Sequence, residues 1–103
     1  MSENPYAGQG AVLLDIGGDV GALVVEVPRD MVGVEIEART LDERVHHHPH
    51  VAVVERPGPA APVPSLVFPE LREGRYALVP KGGGPAALIT SVRGGAVTTA
   101  AWA

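Results

Sequence analysis

The chain has no cysteine, which excludes disulfides, thiolate nucleophiles and zinc–thiolate sites and leaves stability to packing alone. Lys81 is the only lysine and the eight basic residues are scattered along a chain of net charge -4 and pI near 5.4. A phosphate-binding surface needs clustered Lys and Arg, so no nucleic-acid partner is expected. No apolar run approaches the ~20 residues of a membrane helix, so no membrane partner is expected either. The N-terminal Met1-Ser2-Glu3-Asn4-Pro5-Tyr6 lacks a basic residue followed by an apolar stretch. The expected localisation is therefore cytoplasmic. A 3.6-residue apolar stripe sustained over three turns is also missing, which argues against helices.

What is there instead is a set of short apolar segments punctuated by 13 glycines and 10 prolines in 103 residues. Hydrophobic residues make up 46% of the chain, too many for a disordered segment. The length fits one domain, read as 10–103 behind a flexible polar lead-in at 1–9.

Ala11 to Ile16 is the first candidate strand, and Gly17-Gly18-Asp19-Val20-Gly21 supplies a tight reversal. Ala22 to Val27 follows, with Leu23, Val25 and Val27 opposite Glu26. Gly33 to Arg39 alternates cleanly: Val34, Ile36 and Ala38 fall on one face, Glu35, Glu37 and Arg39 on the other. His50 to Arg56 resumes as a strand with Val51 and Val53 inward. Pro57-Gly58-Pro59-Ala60-Ala61-Pro62 breaks it, since proline donates no ladder hydrogen bond. Val63 to Phe68 comes next, and the segment Phe68 to Leu78 then places a turn between two strands. In this stretch Phe68, Leu71, Tyr76 and Leu78 are the expected core anchors. Ala86 to Arg93 and Ala96 to Trp102, separated by Gly94-Gly95, read as a terminal hairpin. Roughly seven or eight strands at a spacing of about ten residues predict an all-β fold, a two-sheet antiparallel β-sandwich.

The segment Phe68-Pro69-Glu70-Leu71-Arg72-Glu73-Gly74-Arg75-Tyr76-Ala77-Leu78 resembles the F-x-x-L-x-x-G-x-Y-x-L signature of transthyretin-like, CnaB-like and carboxypeptidase-regulatory-like β-sandwich domains. The chain is also similar to short proteins of high-GC bacteria. The resemblance implies a strand, a turn and the next strand, within a fold used for binding and accessory roles. Two activities of such domains lack their parts here. The lysine–asparagine isopeptide of CnaB-like domains has only Lys81 in a Gly-rich loop and Asn4 in the tail to draw on. The histidine-bearing first strand and C-terminal Tyr-Arg-Gly-Ser of the hydroxyisourate hydrolases are replaced by Val12-Leu13-Leu14-Asp15 and Thr99-Ala100-Ala101-Trp102-Ala103.

All four histidines lie in His46-His47-His48-Pro49-His50. Residues two apart on an extended chain point to one side, so His46, His48 and His50 are candidate ligands for zinc, copper or nickel. Glu35, Glu37, Asp42, Glu43 or Glu55 would supply an oxygen ligand or an outer hydrogen-bond acceptor. The competing readings are a solvated histidine loop and a pH-sensing surface. Asp15 and Asp19 around their glycine turn read as hairpin chemistry rather than half a calcium site. Gly82-Gly83-Gly84-Pro85 lacks the ending of a phosphate loop. Ser65 has no nucleophile-elbow context and reads as a strand serine facing solvent, and Trp102 reads as a core or sheet-edge anchor.

These observations lead first to a non-enzymatic interaction module that binds a protein partner, another copy included, through edge strands or loops. A small transition-metal-binding protein is the alternative. A hydrolase ranks third, because no nucleophile with an activating base is recognisable.

Overall fold

The computed structural model describes residues 16–41, 48–81 and 88–102. The expected strand Ala11 to Ile16 thus falls outside the described residues except for Ile16, and the lead-in at 1–9 does so entirely. The described strands are β1 (Val20–Glu26), β2 (Glu35–Thr40), β3 (His50–Ala52), β4 (Val54–Arg56), β5 (Val63–Arg72), β6 (Gly74–Pro80), β7 (Leu88–Val92) and β8 (Val97–Ala101), with one 3-10 turn at Arg29–Met31. They form two four-stranded sheets, ordered β4-β5-β1-β8 and β3-β2-β6-β7. The fold is the expected all-β two-sheet sandwich.

Its core lies where the two inner faces meet. Leu23 and Val25 of β1, Leu66 and Phe68 of β5, and Ile36 and Leu78 of the facing sheet are almost wholly excluded from water. Burying each such side chain contributes about 1.5–3 kcal/mol. The alternation read from Leu23-Val24-Val25-Glu26-Val27 and Glu35-Ile36-Glu37-Ala38-Arg39 is the alternation observed, although Val34 lies before its strand and stays exposed.

Three expectations need correction. First, β5 does not end at Phe68. The pairings Gly21↔Leu71 and Leu23↔Phe68 leave Pro69 and Glu70 opposite the single Ala22. The chain thus absorbs its proline in a β-bulge, where the missing N–H costs no ladder bond. The chain passes to the other sheet only at Glu73, next to Gly74, which adopts φ 149, a conformation that side-chain-bearing residues avoid. Tyr76 then reaches back over this corner, its hydroxyl donating to the Arg72 carbonyl at 2.6 Å.

Second, His50 to Arg56 is two strands in different sheets. At Val53 the chain leaves β3 and enters β4, and the buried Val53 exchanges backbone hydrogen bonds with Gly33 and Val34 at the crossing.

Third, β7 and β8 make no hairpin. β7 pairs with β6, whereas β8 crosses over and pairs parallel with β1, the one parallel pair among the described strands. The reason is close packing at the crossing. A Cβ on Gly21 would lie 2.1 Å from the Arg93 carbonyl oxygen, and one on Gly94 would lie 2.1 Å from that of Gly18. Gly94-Gly95 therefore serves as a tight backbone-on-backbone passage instead of a hairpin loop.

Candidate functional site

His48 to His50 enter the fold at the free edge of the second sheet. β3 pairs antiparallel with β2, with Glu37 directly opposite His50 and Glu35 opposite Ala52. The Ala38 N–H donates to the Pro49 carbonyl at 2.9 Å, which extends the pairing past the strand end. Because residues opposite one another share a face, Glu35, Glu37 and His50 stand together on the outer surface of the sheet.

His50 Nε2 lies 3.4 Å from Glu35 Oε1, and Lys81 Nζ lies 3.8 Å from the same oxygen. Arg39 grips Glu37 through Nε at 3.0 Å and Nη2 at 2.9 Å. That hydrogen bond, with the neighbouring charge of Arg39 and smaller contributions from His48 and His50, holds the Glu37 carboxyl below its ordinary value. His48 is partly buried, and its Nδ1 is enclosed without a hydrogen-bond partner.

Of the three expected metal ligands, His48 and His50 are thus placed at one edge, while His46 lies outside the described residues with His47, Asp42 and Glu43. Glu55 is directed elsewhere, into an exposed ion pair with Arg29. Among the described residues no group of three or more His, Asp or Glu side chains is arranged to hold a metal ion.

The other sequence-marked positions resolve as structure. The Gly18-Asp19 turn is closed by reciprocal Gly17–Val20 backbone bonds of 2.9 Å, and the exposed Asp19 carboxylate sits 3.5 Å from Arg72 Nε. The Trp102 side chain packs partly against the core, and its backbone N–H donates to the Glu26 carbonyl at 2.8 Å. The Gly82 to Pro85 run lies outside the described residues.

Ser65 corrects the sequence reading, because it is buried instead of facing solvent. The reason is Arg56, itself buried, whose Nη1 donates to the Ser65 Oγ at 3.0 Å and to the Ser65 carbonyl at 2.7 Å. Sequence gave no sign of this pairing, since β4 and β5 meet only through the fold. A shallow cleft of about 430 Å³ opens beside Val32, Gly33, Ala52, Val53, Val54 and Glu55. Its only ionisable group, Glu55, is already engaged by Arg29, so the cleft offers shape without reactive chemistry.

The two lateral sides of the sandwich differ in a way that bears on partners. One side carries β3 and β4, three residues each, bracketed by Pro49 and Pro57 and bearing His50, Glu55 and Arg56. The other carries β7 and β8, five residues each, with no charged side chain in either strand.

On β8 the parallel register fixes which backbone groups remain open. Ala22 N–H donates to Ala96, and Trp102 N–H donates to Glu26, so the even-numbered residues of this stretch turn their peptide groups toward β1. The N–H and C=O of Val97, Thr99 and Ala101 point the other way. All three residues are exposed, and none of their amides has a backbone partner among the described residues.

No helix among the described residues is long and apolar enough to cross a membrane. Neither the protein-family models nor the curated proteins include a match to this chain.

Proposed function

We propose that this chain is a non-enzymatic interaction module that engages a protein partner by adding a strand to an exposed sheet edge. The observation that supports this reading is β8, a five-residue uncharged strand whose donors and acceptors at Val97, Thr99 and Ala101 have no backbone partner among the described residues. Such an edge is a template for strand addition, and proteins that do not use one usually blunt it with charge, proline or brevity. The resemblance of Phe68 to Leu78 to transthyretin-like and carboxypeptidase-regulatory-like domains points to the same accessory role.

Photo-crosslinking side chains placed separately at Val97 and at Glu55 test the idea in cells. Protein adducts from position 97, lost when Thr99 is changed to proline, are the expected result. Adducts from neither position, or equally from both, would sink it.

A second reading, a transition-metal protein using His46, His48 and His50, is favoured by one observation: the enclosed, unpartnered Nδ1 of His48. A buried polar nitrogen without a partner is uncommon and costly, and a metal ion would satisfy it. Zinc, copper and nickel titrations of the chain, beside a variant with all three histidines changed to alanine, decide the matter. Binding no tighter than micromolar would remove this reading.

A further inference from the structure

We infer that the partner added at β8 is a second copy of this chain, paired antiparallel about a two-fold axis through Thr99. The inference rests on the interaction-module reading and names its occupant. Its starting point is that the open groups are themselves centred on Thr99, with Val97 and Ala101 two residues to either side. An antiparallel copy laid against them sets Thr99 opposite Thr99 and Val97 opposite Ala101. Every open N–H then meets an open C=O, because directly opposed residues of this kind exchange both their hydrogen bonds. The edge is in this way complementary to itself, as a two-fold interface requires.

Charge points the same way. The chain carries a net charge of -4, so copies repel one another on most approaches, yet β8 has no charge of its own. The nearest acid on β1 is Glu26, the neighbour of Ala101. Across the seam it would face Ala22 and Val97 of the second copy, since Ala22 is the β1 neighbour of Val97. No two acids are brought side by side, and like charges directly opposed are what disfavours a strand pair.

Alongside runs β7, the uncharged edge strand of the other sheet. A copy docked on β8 would lie beside this strand as well and would meet no charged strand side chain there. The side chains of Val97, Thr99 and Ala101 lie on the outer face of their sheet, beside Ala22, Val24 and Glu26. Pairing therefore leaves the core undisturbed, with Ala100 and Trp102 still packed against it.

Light scattering of the purified full chain across a concentration series, with amide exchange of Val97, Thr99 and Ala101, tests the inference. The expected result is a doubled mass and slow exchange at those three amides. Two variants, Thr99→Lys and Thr99→Pro, are expected to restore the single-chain mass with an unchanged circular dichroism spectrum. The Thr99 N–H points away from β1, so the proline removes the central donor of the seam and none from the sheet.

A dimer that survives both variants overturns the β8 seam. A single-chain mass at every concentration overturns the second copy, and the exchange data then judge the parent reading separately. Fast exchange keeps the edge open for a different protein. Slow exchange in a monomer means that the edge is already covered, and the module reading fails with it.

Discussion

The β3/β4 side and the β7/β8 side of this sandwich are built from the same backbone geometry but manage their open edges in opposite ways. On the first, two strands of three residues are bracketed by Pro49 and Pro57, Glu55 is paired with Arg29, and Arg56 turns onto Ser65. An approaching strand finds too few aligned groups there and a charged pair at the rim. On the second, β8 is longer, uncharged and paired to a parallel neighbour on one side only among the described residues. The lesson is that edge protection here is a property of each flank and not of the fold as a whole.

The largest expected effect lies at the crossing that feeds β8. Gly21→Ala puts a methyl group 2.1 Å from the Arg93 carbonyl oxygen, and because the obstacle is backbone it has no rotamer by which to escape. Overpacking of this kind costs about 1–3 kcal/mol. Urea unfolding should place this variant near the top of that range. A loss under half a kilocalorie would mean that the passage between the sheets is slack.

Next comes the guarded flank. Arg56→Ala removes the donor held by both the Ser65 carbonyl and its hydroxyl, and hydrogen bonds involving a charged group are worth about 1.5–3 kcal/mol. The variant should lose about 2 kcal/mol of stability by the same measurement, while Ser65→Ala, which keeps the carbonyl bond, loses about 1 kcal/mol. Equal losses would locate the value of Arg56 in its hydroxyl contact alone.

Smaller still is the rim pair. Glu55→Ala breaks the exposed contact with Arg29 while the hydrogen bond from Arg29 Nη2 to the Pro62 carbonyl stays in place, so it should cost no more than about 0.5 kcal/mol, shrinking further in high salt. A larger, salt-insensitive loss would show that the guarded flank depends on this pair after all.

The smallest effect is a titration. The Arg39 guanidinium holds the Glu37 carboxyl below its ordinary value, so their contact favours the folded state above the unfolded glutamate pKa. That contribution fades as the pH falls through the lower, folded value. Arg39→Ala should move the Glu37 transition, followed by carboxyl NMR shifts, upward, and should leave wild type and variant equally stable in acid. An unmoved transition would reassign the depression to another neighbour.

How far the fold could be read in advance depended on whether the deciding contact was local. Alternation placed Leu23, Val25, Ile36 and Ala38 correctly because water on one side of a strand acts on each residue independently. The anchors Phe68, Leu71, Tyr76 and Leu78 were legible for the same reason. Gly94-Gly95 misled because a glycine pair suits a hairpin and a sheet crossing equally. Only the approach of Gly18 and Gly21, more than seventy positions earlier in the chain, selects between them. Pro69 read as a turn because its compensation, the extra residue opposite Ala22, sits on another strand. The burial of Ser65 was hidden in a contact with Arg56 across a sheet pair.

At the candidate site, the grip of Arg39 on Glu37 and the approach of Lys81 to Glu35 depend on register that the histidine spacing does not encode. The open amides of β8 were equally invisible, because they follow from a parallel partner that the hairpin reading excluded.

The switch of the chain from one layer to the other at Val53 has a mechanical corollary. Opposite it, residues 93–96 pass between the same two layers. A stack bolted along both margins resists sideways slip and cannot hinge open like a book. Water can reach Phe68 or Ile36 only if a whole strand peels away, so penetration of the interior should be all-or-nothing rather than gradual.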